Sequence, residues 1–353
     1  MRGVPLLLLG VLAVLAGEAR AQSDQPANRG QASRWCVGPR GVSDAQIIAG
    51  CGWLIANGPV AGGNLLAAYR GRGLALARGG QFGAAAADLG KAVELEPRDT
   101  SLRQVQAFVL FLDGQPDAAI PVLTALLSLK PGDPAALELR AMAASDARRL
   151  DMALADIDEA IRLSPQKHAL LTVRAIVLIR RGDRQAATRD LDLHVAFEPD
   201  DADALLNRAL NRVALGDFRG ALGDASVVPA QDTAREMRLA TRCLARWRLA
   251  AEGWQTDCDA ARAPGRDAAA NGWPWATGGG IALAEGRPAE ALAILDEGLA
   301  HRPHDAFTRW LRGLARLRLG RDGADDLSSG IVGEPLSRLL AREYFGEAIL
   351  PLP

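Results

Sequence analysis

Apolar and polar positions along most of the chain recur as helical stretches at a fixed spacing of 34 residues, and four columns of residue type keep that register. Alanines stand at Ala85, Ala119, Ala153, Ala187 and Ala221, and prolines at Pro97, Pro131, Pro165 and Pro199. Gly80, Gly114, Gly182 and Gly216 form a third column, with Arg148 in its remaining slot. Small residues run Gly73, Ala107, Ala141, Ala175 and Ala209. Each type has a physical reason. The two small columns let paired helices approach closely. The glycine ends the first helix in a left-handed conformation. The proline stops the second helix and begins the turn into the next unit. The period therefore predicts a series of helical hairpins.

The pattern is fullest from Tyr69-Arg70-Gly71-Arg72-Gly73 through Ala85 and Ala92 to Pro97, and there it resembles the tetratricopeptide repeat family. The resemblance covers residues 64–330. It implies an all-α fold: a right-handed superhelix (an α-solenoid) of about seven helical hairpins, with a cap at each end. The organisation expected is a signal peptide over 1–21, a cysteine-paired cap over 22–62, the solenoid over 63–330 and a capping helix and tail over 331–353. The register breaks after the fifth unit, where no alanine or proline falls near 255, and resumes with Gly279, Gly286, Ala291, Pro303, Gly313 and Gly320. The stretch Arg235 to Ala263 reads as a degenerate unit near 233–267, and Gly278-Gly279-Gly280 as a flexible segment ahead of the next helix. Leu336 to Leu350 is expected to shield the face of the last unit.

In such a superhelix the first helices line a concave groove. The position after the small column gives Leu74, Phe108, Met142, Ile176 and Leu210, and three residues on come Ala77, Phe111, Ser145, Ile179 and Val213. The family's peptide-carboxylate clamp uses Asn, Lys and Arg at groove positions. Here the matching column is apolar, and the one before it reads Arg70, Gln104, Glu138, Thr172 and Leu206, with Arg70 its one basic member. The implied partner is a protein or peptide offering an apolar or helical segment. Packing of the stripe against neighbouring repeats or a terminal segment is the competing reading.

Arg2, the apolar run Val4 to Ala16 and Ala19-Arg20-Ala21 form a secretory leader pattern, so the chain is expected to be periplasmic or secreted, with no membrane span after cleavage. Cys36 and Cys51, like Cys243 and Cys258, are 15 positions apart; an even count in an exported chain predicts two disulfides. With their flanking segments they resemble the short cysteine-paired modules of exported proteobacterial repeat proteins. The chain is 24% charged with a net charge of −1, which gives no electrostatic footprint for nucleic acid. Arg238, Arg242 and Arg246 share a helix face and read as solvated.

Candidate chemistry is sparse. His301-Arg302-Pro303-His304 has metal-pair spacing but occupies an inter-repeat turn. Asp156/Asp158 and Asp257/Asp259, two apart on helices, point to different faces and suit no acid–base pair. No hydrolase, phosphate-loop or dinucleotide motif is present. The chain is accordingly expected to be a non-catalytic scaffold without cofactor or metal. A carbohydrate- or peptidoglycan-binding module using Trp273 and Trp275 is the alternative, and an envelope hydrolase on an α-superhelix a weaker one.

Overall fold

A computed structural model describes residues 25–58, 62–227, 234–263, 272–328, 341–346 and 349. The signal peptide expected over 1–21 lies outside the described residues, as does most of the tail expected over 331–353. Among the described residues every regular element is a helix, and the chain divides into two compact units, 1–165 and 166–353.

The first unit holds α1 (Arg29–Val37), α2 (Asp44–Asn57), α3 (Gly62–Arg78), α4 (Phe82–Leu95), α5 (Thr100–Leu112), α6 (Pro116–Leu129), α7 (Pro134–Asp146) and α8 (Leu150–Leu163). The second holds α9 (Ala169–Arg181), α10 (Arg184–Phe197), α11 (Ala202–Ala214), α12 (Phe218–Ser226), α13 (Arg235–Arg248), α14 (Trp254–Arg262), α15 (Trp273–Ala284), α16 (Pro288–His301), α17 (Ala306–Arg318) and α18 (Ala324–Ser328), with a further helical turn over 341–345. From α3 onward the helices pack in sequence as hairpins.

The columns do the work their chemistry predicts. A Cβ on Gly73 would press on Leu89 and on the Ala85 carbonyl, so the small column is where first and second helices meet. Leu89, Leu123 and Ile157 in the first unit, and Leu191 and Leu295 in the second, are fully buried at the facing position. Each such side chain contributes about 2–3 kcal/mol of apolar burial. The first helix ends at a left-handed residue in every slot of its column: Gly80, Gly114, Gly182, Gly216, Gly286 and Gly320, but also Arg148 at φ 61 and Ala250 at φ 50. Ala250 falls 34 after Gly216, so the degenerate unit keeps the backbone register although its residue types have changed. Asp99, Asp133, Asp201 and Asp305 cap the following first helices by accepting backbone N–H bonds.

Both cysteine pairs are bonded, Cys36 to Cys51 and Cys243 to Cys258. The first ties α1 to α2; Gly50 allows that approach, since a Cβ there would strike the Ala32 carbonyl and Trp35. The second ties α13 to α14 where the regular packing residues are missing.

Two expectations are corrected. Gly278-Gly279-Gly280 is not a segment ahead of a helix: it lies buried inside α15, where Leu295, Arg262 and Phe345 fill the space a side chain would need. Trp273 and Trp275 form the first turn of that helix. The arginines of α13 are not solvated: Arg238 is buried and donates to the Ala225 carbonyl, while Arg242 and Arg246 both donate to Asp257.

The last contact belongs to a ladder. Arg72–Asp88, Arg140–Asp156, Arg174–Asp190, Arg208–Asp224, Arg242–Asp257 and Arg312–Asp326 each join the first and second helices of one hairpin, with the carboxylate buried. Where the arginine is missing, the aspartate is missing with it: Gln106 goes with Val122, and Gly278 with Ile294. Loss of both at once is what burial demands, because a buried carboxylate without its partner is costly.

Candidate functional site

In the first unit, α5 and α7 present their register positions side by side. Phe108 is 49% exposed and Met142 half-buried, and with Gln104, Val105, Ala135, Glu138 and Leu139 they line a depression of about 360 Å³. Leu112, 45% exposed, continues the face on α5, and Phe111 is half-buried beside it. Leu74 and Arg70 of α3 line a separate recess of about 510 Å³ with Arg29, Val37 and Ile47 of the cysteine-bonded cap. Arg70 is exposed and Leu74 half-buried. Of the predicted residues of this unit, Phe108 and Met142 thus line one depression, Leu74 and Arg70 line another, and Phe111 lines neither.

Half-exposed phenylalanine on a folded surface is costly to leave in water. The helices that carry it are fixed by capped N-termini. Asp133 Oδ1 accepts from the Ala135 and Ala136 amides, and Lys130 Nζ stands 2.6 Å from Asp133 Oδ2. The Lys130 contact, with the two amides, holds the Asp133 carboxyl below the usual carboxylate range.

In the second unit Ile176, Ile179 and Leu210 are half-buried, and Val213 is fully buried in the core. Here the chain's own C-terminal segment lies on the register face. Gly280 holds the position in α15 that Leu74, Phe108 and Met142 hold in the first unit, and a Cβ on it would fall inside the Phe345 ring. Tyr344 packs edge-on against Trp273 at 4.9 Å. Arg248 Nη1 donates to the Tyr344 carbonyl at 2.9 Å, and Arg184 Nη2 to Glu343 Oε2 at 2.8 Å. Burial pushes the Tyr344 phenol up and the Arg248 guanidinium down. Ala341, Phe345 and Ile349 are buried in the same apolar cluster as Val213, Leu244 and Leu314. The repeat period does not reveal this segment's seat. The available signals are the aromatic Tyr344-Phe345 pair and the loss of a side chain at Gly280.

The other candidates are engaged elsewhere. Trp275 is 1% exposed and stacks near His301, and Trp273 Nε1 donates to Thr241. Trp275 therefore offers no open ring face of the kind a sugar needs, and Trp273 is half-buried. Asp156 and Asp257 are ladder carboxylates, and no helix among the described residues is long and apolar enough to cross a membrane.

Residues 109–168 match the family profile described as tetratricopeptide repeat. Two solved structures share the fold. A tetratricopeptide repeat protein from Parabacteroides merdae ATCC 43184 is 15% identical with a TM-score of 0.59, over 71% of this chain and 98% of that one. The APC/C hetero-tetramer Cut9–Hcn1 is 14% identical with a TM-score of 0.54, over 77% of this chain and 52% of that one. No curated protein sequence matches this chain. The matches establish an α-solenoid of the tetratricopeptide type.

Proposed function

We propose that this α-solenoid is a non-catalytic scaffold, periplasmic or secreted, that binds a protein or peptide partner through a largely apolar groove on the first-helix face of its N-terminal unit. Phe108 carries the reading: a phenylalanine 49% exposed, on a helix positioned by the repeat, beside Met142 in a depression of peptide-side-chain size. The second unit supports it by example. On its corresponding face sits a helical turn that presents an aromatic ring to a glycine and a carboxylate to an arginine. A partner of the same chemistry, a short helix with an aromatic anchor, fits the face around Phe108.

Export is supported by the leader pattern and by two bonded cysteine pairs. The near-neutral charge favours neither nucleic acid nor an anionic membrane. The sugar-binding alternative loses support because Trp275 is buried and Trp273 is half-buried with Tyr344 packed edge-on against it. The hydrolase alternative gains none, because the buried carboxylates of the repeats are committed to arginines or, at Asp133, to Lys130 and a helix cap.

The test is affinity capture of the mature protein from an envelope extract, beside a Phe108→Asp variant whose circular dichroism is unchanged. A protein retained by the wild type and lost by the variant is the expected result. Equal retention by both would remove Phe108 and its depression from the account.

A further inference from the structure

We propose that His194, Glu198 and Asp201 form a site for a divalent transition-metal ion of the zinc type, at the turn between α10 and α11. One donor atom from each side chain lies within 4.8 Å of the others. His194 is 1% exposed, and its Nε2 has no hydrogen-bond partner. That nitrogen faces Glu198 Oε1 and Asp201 Oδ2, each at 3.7 Å. The distance is too long for a hydrogen bond. It leaves a buried polar atom unsatisfied opposite two carboxylates, and a cation held between them resolves both problems. Zinc bonds of about 2.0–2.1 Å place tetrahedral ligands about 3.4 Å apart. His194 Nε2 is thus already near ligand distance of each carboxylate oxygen at 3.7 Å, and the donors, spread over up to 4.8 Å, must draw in by up to about 1.4 Å around the ion.

The surroundings orient the donors as metal ligands are oriented. Thr172 Oγ1 is 2.6 Å from His194 Nδ1; with the proton on Nδ1 and donated to Thr172, the Nε2 lone pair faces the ion. Asp201 Oδ1 accepts from the Ala204 amide at 2.7 Å, which leaves Oδ2 for the metal. Glu198 sits at the carbonyl end of α10, where partial negative charge favours a cation. His168 Nδ1 stands 3.9 Å from the same Glu198 oxygen, its ring stacked on Phe197.

The repeat does not require this histidine. Its register position holds Ala92, Leu126 and Ala160 in the preceding units and Gly298 later, so packing asks only for a small or apolar residue. Imidazole with carboxylates suits zinc and its neighbours, whereas calcium and magnesium favour all-oxygen sites. Three protein donors leave one tetrahedral position open.

The test is calorimetric titration of the chelator-treated full chain with Zn2+, with Ca2+ as the comparison. One equivalent of zinc should bind saturably and calcium should not. Glu198→Ala, at a half-exposed side chain, and Asp201→Asn, which keeps the helix cap, should each weaken zinc binding by at least about tenfold while circular dichroism stays unchanged. His194→Gln should abolish it. Absence of saturable zinc binding, or binding unchanged in Glu198→Ala and Asp201→Asn, would overturn the site and leave a histidine ion pair in its place.

Discussion

The Arg140–Asp156 rung offers a test that the chain has already performed on itself. Arg140 Nε donates to Asp156 Oδ2 and Nη2 to Oδ1, both at 2.7 Å, and Nη1 reaches Thr124 Oγ1 at 3.1 Å. Asp156 is 6% exposed, so Arg140→Gln strands a buried carboxylate; breaking such a pair costs about 3 kcal/mol, the low end for buried pairs. Asp156→Val should cost less, about 1.5 kcal/mol, because the longer arginine can turn its head to water. The double substitution recreates Gln106 with Val122 from the preceding hairpin and should lie within about 1.5 kcal/mol of wild type, a coupling of about 3 kcal/mol. Urea unfolding by circular dichroism gives the global values. Hydrogen exchange over residues 134–163 localises them to α7 and α8. A double variant as unstable as the two single losses combined would refute the idea that the pair must be lost together.

Three further outcomes follow from single features. Arg148→Gly should stabilise by about 1 kcal/mol in urea unfolding, because φ 61 is strained for a side chain and free for glycine. Asp133→Ala should cost about 1 kcal/mol as a lost helix cap. The Asp133 carboxyl is lowered in the folded state, so its stabilisation is complete above its unfolded pKa of about 3.9 and is lost as pH falls through the lower folded value. The variant's acid unfolding limb should therefore be shallower than that of the wild type in a pH series. Gly280→Ala adds helix propensity worth about 1 kcal/mol to α15, yet it should expel Phe345 and speed hydrogen exchange over 341–346. Unchanged exchange there would mean that the C-terminal segment does not sit on this face.

Much of the fold is legible because the repeat writes backbone geometry in residue type. The left-handed column marks where first helices end, down to Arg148. It conceals Ala250, where the left-handed conformation persists at φ 50 without glycine. The arginine and aspartate columns share the same period and stand in plain view. They escape a search for catalytic pairs because their partners are 14 to 16 residues apart on different helices, not adjacent on one. Gly278-Gly279-Gly280 misleads because three glycines read as a breaker. Their role appears only when Leu295, Arg262 and Phe345 are seen in the vacated space.

The candidate site is legible to a smaller degree. Phe108 and Met142 fall in one register column and line one depression. Periodicity cannot say that Val213 is buried, because that depends on how the helices of the second unit gather into one apolar cluster. His194 is visible in the sequence only as an exception to an apolar column, and its carboxylate neighbours acquire meaning through the turn that brings Asp201 back to it.

The central claim is that a partner rests on the face around Phe108, and site-directed photo-crosslinking tests it most directly. A photoreactive residue at 108 is compared with one at 162, on the outer side of α8, where Arg162 is exposed. The account predicts a discrete partner adduct from position 108 and none from 162. Adducts from 162 alone, or equally from both, would contradict it.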